Sequence, residues 1–150
     1  DNHRIQVFNQ KGVYQYQFGS EGADPGQLLN PSALCINSPA DEVFVTEFMG
    51  HRVSVFSADG KFLRCFGSPG TDGCQFRHPY GIALLPLADD FAIVVNDRLN
   101  NVLQVLDRYG RFIRSRGQLN DASGICCHPI PGHVFVADTG NMRIWLLPPI

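Results

Sequence analysis

Asn2-His3-Arg4-Ile5-Gln6-Val7-Phe8, trailed by Gly12 and Phe18-Gly19, returns as Gly50-His51-Arg52-Val53-Ser54-Val55-Phe56 with Gly60 and Phe66-Gly67. A third copy, Asn100-Asn101-Val102-Leu103-Gln104-Val105-Leu106 with Gly110 and Gly117, is blurred, and a fourth, Asn141-Met142-Arg143-Ile144-Trp145-Leu146-Leu147, is partial. Gly12, Gly60 and Gly110 stand 48 and 50 residues apart, and Gly19, Gly67 and Gly117 keep the same two intervals. Two glycine series in one register mark a unit that cannot bury its apolar faces without neighbours, as in solenoids and propellers. The last unit is shorter, Asp97 to Asp138 spanning 41, because the loop ahead of Ala122-Ser123-Gly124 lacks the Gly-rich stretch of 67–79. Loops tolerate such deletions.

Inside each unit the apolar pattern has period two, which predicts strands. Val53 and Val55 oppose Arg52, Ser54 and Phe56, as Ile144 and Leu146 oppose Arg143, Trp145 and Leu147. Four short runs bounded by turn residues recur per unit. They are 32–36, 80–85 and 123–127; then 42–46, 91–95 and 133–137; then 4–8, 52–56, 102–106 and 143–147; and last 13–18, 62–66 and 112–116. No stretch carries helical periodicity. Four strands per roughly 45 residues make a propeller blade, so the chain reads as all-β, with four-stranded antiparallel blades. The nearly continuous apolar second run fits a middle strand packed on both sides. Arg64, Arg114 and Arg116 fall on the outer edge strand, where charge discourages edge-to-edge pairing.

Composition places the chain among ordinary folded β domains: 44% apolar, 17% charged, net charge −2. No apolar run reaches membrane length, so no membrane partner is expected. Of the cysteines, Cys35, Cys126 and Cys127 lie on inner strands, Cys65 lies on an outer one, and Cys74 completes the five. An odd count without paired spacing reads as buried free thiols and a reducing, cytoplasmic compartment. His3 and His51 share one repeat position, and with His78, His128 and His133 they match no zinc signature. The repeated histidines read as fixing the turn between strands two and three, where Asp or Glu accepts backbone donors. No metal, cofactor or catalytic residue is expected. No nucleophile elbow, phosphate loop or paired carboxylate stands in a convincing setting.

The string Asn-His-Arg-Ile-Gln-Val-Phe, with an acid three positions before the corresponding residue in later copies and Phe-Gly some residues on, resembles the NHL repeat. Gln75-Phe76-Arg77-His78-Pro79-Tyr80-Gly81-Ile82-Ala83 and Val136-Ala137-Asp138-Thr139-Gly140-Asn141-Met142-Arg143-Ile144 are similar to its other hallmarks. There is no Trp-Asp dipeptide, as the WD type would carry. The resemblance covers essentially the whole chain and implies a six-bladed ring, of which this chain holds about three blades. These are the outer strands of one blade (1–19), two full blades (31–67 and 79–117) and three strands of the last (122–147). Asp1 then falls mid-blade, the missing blades are expected in cis from upstream chain, and Ile150 after Pro148 and Pro149 reads as a ring-closing end. NHL-like propellers that are lyases carry metal-binding histidines where this chain has Ser32, Tyr80 and Ser123. The enzymatic reading, a hydrolase or lyase with its site in the missing half, is therefore the minor one.

What remains is a binding platform. Loops joining strands two to three and those entering strand one share a rim, which gathers Phe48, Met49, His51, Arg52, Gln75, Phe76, Arg77, His78 and Tyr80. It continues with Arg98, Asn100, Asn101, Asn141, Met142 and Arg143. Aromatics, arginine and methionine are the anchors of protein interfaces, and the same types stack on single-stranded RNA. In the tripartite-motif branch that the chain resembles, the rim serves either partner, including substrate recruitment in ubiquitin-ligase-like proteins. A protein partner ranks first here and RNA second. Glu47, Asp72 and Asp97 lie close to the rim in sequence and argue against a uniformly basic surface.

Overall fold

A computed structural model describes residues 2–128 and 132–147. Each repeat forms one antiparallel sheet. The outer pair of the first blade is β1 (Ile5–Phe8) and β2 (Tyr14–Phe18). The second blade is β3 (Pro31–Asn37), β4 (Glu42–Glu47), β5 (Arg52–Ser57) and β6 (Phe62–Phe66), hydrogen-bonded in that order. A short parallel pair, β7 (Ser68–Pro69) and β8 (Gln75–Phe76), tightens the connector to the third blade. That blade is β9 (Pro79–Pro86), β10 (Phe91–Asp97), β11 (Val102–Leu106) and β12 (Phe112–Arg116). The last is β13 (Ile125–Cys127), β14 (Val134–Asp138) and β15 (Arg143–Leu147). β13 starts two residues later than the sequence pattern predicts. Pro148, Pro149 and Ile150 lie outside the described residues, as does Asp1.

The core lies between the blades. Successive residues of a strand point to opposite faces, so each middle strand serves two seams. Val43 and Val45 pack with Leu28 and Phe56 toward the first blade, while Phe44 joins Val55, Phe76, Ile82, Ile93 and Val95 toward the third. Ala92 and Val94, on the other face of β10, pack with Leu103, Val105, Leu119, Val134, Val136 and Leu147 toward the last. β4 and β10 are therefore buried almost throughout. Leu28, Phe76 and Leu119 hold equivalent places in the three connectors, each plugging a seam and at most 5% exposed. Phe76, expected on the rim, thus belongs to the core, because apolar area at a seam gains more from burial than from solvent.

Polar side chains also stitch the seams. His3 Nδ1 accepts the N–H of Asn30 at 3.2 Å, and His51 Nδ1 accepts that of His78 at 3.1 Å. Asn101 Oδ1 accepts that of Asp121 at 3.3 Å. The three donors have φ of 51°, 54° and 48°, a left-handed geometry that turns the chain into each inner strand. The repeated histidine is thus a clamp to the next blade rather than a lock within its own turn. One layer inward, the Thr46 hydroxyl donates to the Tyr80 carbonyl at 2.7 Å, and the Asn96 amide donates to the Ala122 carbonyl at 2.6 Å.

All five cysteines are free. Cys65 and Cys126 are exposed rather than buried, because they alternate with the inward-facing residues of β6 and β13. The other three are half-buried. Burial pushes the Cys35 and Cys127 thiols up to about 12, which leaves them as small apolar fillers. No helix among the described residues is long and apolar enough to cross a membrane.

Candidate functional site

The loops after each second strand and the connectors into each first strand meet at one end of the blades. What pins them is the acidic residue ending the second strand. Glu47, Asp97 and Asp138 are each 0% exposed and accept the N–H groups of Leu29, Arg77 and Asn120 at 2.8, 2.7 and 2.8 Å. The second carboxylate oxygen of Asp138 takes Arg143 Nε at 2.7 Å, and Glu47 Oε1 takes Arg52 Nε at 2.7 Å and the Ser54 hydroxyl at 2.6 Å. The same guanidinia reach onward to connector carbonyls: Arg52 to Ala23 and Gln27, and Arg143 to Gln118.

The third blade has Val102 in place of that arginine. There the carboxamides of Asn100 and Gln104 bond Asp97 Oδ2 at 2.7 and 2.9 Å, and Gln104 also carries the link to the connector carbonyl of Gln75. The exchange shifts the charge balance. Burial pushes the Asp97 carboxyl up, and the Arg77 N–H and the two amides offset this only in part. Burial also acts on Asp138, but Asn141, the Asn120 N–H and Arg143 outweigh it and hold that carboxyl below the usual range.

Six residues expected on the rim are therefore engaged by partners within the fold. Arg52, Arg143, Asn100 and Asn141 serve the buried acids. His51 clamps the seam, and His78 shares its N–H with His51 while its ring contacts the Phe48 carbonyl at 3.0 Å. Gln75 bonds its own loop at Asp72 N–H, and Asn101 holds Asp121. Met49 and Met142 are exposed, the latter at 94%.

The remaining rim residues converge. Phe48 and Tyr80 meet edge to face with centroids 6.3 Å apart, and the Arg98 guanidinium lies over the Tyr80 ring, 5.3 Å from its centroid. Phe48 also stacks on His78 at 4.4 Å. Tyr80 is fixed because its carbonyl receives the hydroxyls of Thr46 and Ser32. A pocket of about 350 Å³ opens here, lined by Phe48, Tyr80 and Arg98 with Asn30, Pro31 and Ser32. Asn30 and Ser32 were not placed on the rim from the sequence, Ser32 being marked only as a position where lyase propellers carry histidine; they share repeat register with His78 and Tyr80, and that is the signal that finds them. Arg98 Nε pairs with Asp121 at 2.5 Å, which raises Arg98 and lowers Asp121. Arg77 is exposed, and its guanidinium makes no hydrogen bond or ion pair among the described residues. Among those residues no group of three His, Cys, Asp or Glu side chains stands ready to hold a metal.

A family model described as a 6-bladed beta-propeller matches residues 1–78. Over 47 residues, 31% of this chain and 4% of the relative, the sequence is 38% identical to the protein brain tumor of Drosophila melanogaster. Among solved structures, a virginiamycin B lyase from Staphylococcus aureus superposes on 98% of this chain and 49% of its own, at 18% identity and a TM-score of 0.63. The Cps50 (Swd1) beta-propeller domain of Myceliophteria thermophila superposes on 99% of this chain and 48% of its own, at 14% identity and a TM-score of 0.67. At such identities the structures share the fold alone. The chain spans about half the length of these propellers.

Proposed function

The chain belongs to the six-bladed β-propeller family, in its NHL type, and we propose that it is a non-catalytic interaction platform that presents its rim to a protein partner. One observation carries this reading. Phe48, Tyr80 and Arg98, three residues at positions where the repeats disagree, come together around an open pocket, while the residues the repeats share are spent on holding blades together. Aromatic and arginine side chains clustered in a rigid, partly desolvated recess are what hot spots are made of. A substrate-recruiting role within a ubiquitin ligase is the finer form of this reading, supported by the same rim. RNA binding is the second reading, favoured by the stacked Tyr80–Arg98 pair, which offers a platform to a base.

The test is photocrosslinking from inside the rim. A benzoylphenylalanine placed at Tyr80 in full-length protein is expected to yield adducts with protein, and the same group at Ile113 on the outer strand β12 is expected to yield none of them. Adducts from position 80 with RNA alone would replace the first reading with the second. Identical adducts from both positions would remove the rim from either.

A further inference from the structure

We propose that the rim pocket takes a short acidic segment of the partner, one aromatic side chain seated between Phe48, Tyr80 and Arg98 and its flanking carboxylates bound by Arg77 and Arg98. This rests on the reading of the rim as a protein interface. The first ground is a charge that the linear sequence hides. Glu47, Asp97 and Asp138 sit beside the rim in sequence, yet all are buried and saturated by backbone N–H groups and by Arg52, Gln104, Asn100, Asn141 and Arg143. They present no anionic surface. The charge lining the pocket is that of Arg98, which carries the exposed Asp121 as its counter-ion, and Arg77 is exposed on the connector that leads into Tyr80.

The second ground is the Arg98–Asp121 pair. Its side chains are 30% and 49% exposed, and exposed pairs of this kind contribute about 0–1 kcal/mol. Only Nε is engaged, so the terminal nitrogens of Arg98 are open to a second carboxylate, and an incoming one displaces Asp121 at little cost. Third, the pocket of about 350 Å³ has room for a large side chain together with its flanking backbone, and the rings of Phe48 and Tyr80 on its wall reward an aromatic guest in edge or offset contact. The Asn30 carboxamide, which makes no hydrogen bond among the described residues, stands at the wall to meet the backbone of an extended segment.

Nucleic acid matches this surface less well. Its affinity grows with the number of phosphates neutralised, and Arg52 and Arg143 are already paired with Glu47 and Asp138. Glu21, Asp24 and Asp72, exposed on the connectors, repel a polyanion that a short acidic motif avoids.

Selection of random twelve-residue peptides displayed on phage against the full-length protein tests the assignment without presupposing the partner. The expected result is enrichment of Asp and Glu around a Trp, Tyr or Phe, with affinity lowered about tenfold by Arg98→Ala and by Tyr80→Ala, the loss of one anchor. Arg77→Ala is expected to lower it less. Enrichment of basic or uncharged peptides that still depend on Tyr80 overturns the acidic partner and leaves the rim reading standing. Peptides that bind Tyr80→Ala and Arg98→Ala undiminished overturn the rim reading itself. Failure to enrich any peptide, or competition by a mixed RNA pool for every selected peptide, overturns a linear acidic partner.

Discussion

At the seam between the second and third blades, the bond from the His78 N–H to His51 Nδ1 requires a neutral imidazole. Burial first, then His78 and Arg77 nearby, lower the His51 pKa from its ordinary 6.5, with Asp97 opposing. The sign follows directly. The unfolded chain takes up a proton near pH 6.5 while the folded imidazole resists it, so this contribution to stability is complete above that pH and is lost as pH falls toward the folded pKa. At the next seam Asn101 makes the equivalent bond with a group that does not titrate. His51→Asn is therefore expected to keep the stability of the parent at pH 7.5 and to lose less of it between pH 7 and 5, as read from thermal melts. Parallel pH curves for parent and variant would refute the clamp. A histidine recurring at one repeat position is visible in sequence, but its partner is not, since the donor lies 27 residues on and in another blade.

Among whole strands, the inner ones show how near the blades approach. A side chain added at Gly81 in β9 meets the Ser123 carbonyl at 2.7 Å and the Ile125 nitrogen at 3.2 Å, both backbone atoms that cannot swing aside. At Gly124, the equivalent position in the last blade, nothing lies within 4 Å. Gly81→Val is thus expected to destabilise by about 1–3 kcal/mol through overpacking, and Gly124→Ala to leave the denaturation midpoint nearly unchanged. Equal losses at both would contradict this spacing of the inner strands. The strands themselves were legible from period-two alternation, to within one or two residues at most ends. The connectors were not: their short parallel pairs and their plugs Leu28, Phe76 and Leu119 have no local pattern, because each is buried by strands distant in sequence. Phe76, beside Arg77 in the chain, was read as surface for that reason.

For the molecule as a whole, the blades stack through seams that are apolar at the centre and polar toward the rim. The outward face of the last sheet shows what a seam looks like without a neighbour: Ile144 is 71% exposed, Leu146 47%, and Cys126 lies on the same side. Contiguous apolar surface of this kind drives association. The chain is expected to self-associate as its concentration rises in sedimentation velocity, and Ile144→Lys with Leu146→Lys to shift it toward monomer. A parent that sediments as monomer at every concentration would set that aside.

The repeat by itself determined the all-β class, the blade period, the strand order and the phase, because glycine turns and alternating apolar residues act locally and recur at fixed intervals. It also brought Phe48, Tyr80 and Arg98 to one rim. Only the tertiary structure decided which rim residues stay exposed and which are engaged within the fold. Burial decides whether Glu47, Asp97 and Asp138 are surface charges or internal acceptors, and burial is set by neighbouring blades. The His-Arg pair with which the repeat announces itself is spent on the fold, and the chemistry available to a partner lies in the residues the copies do not share.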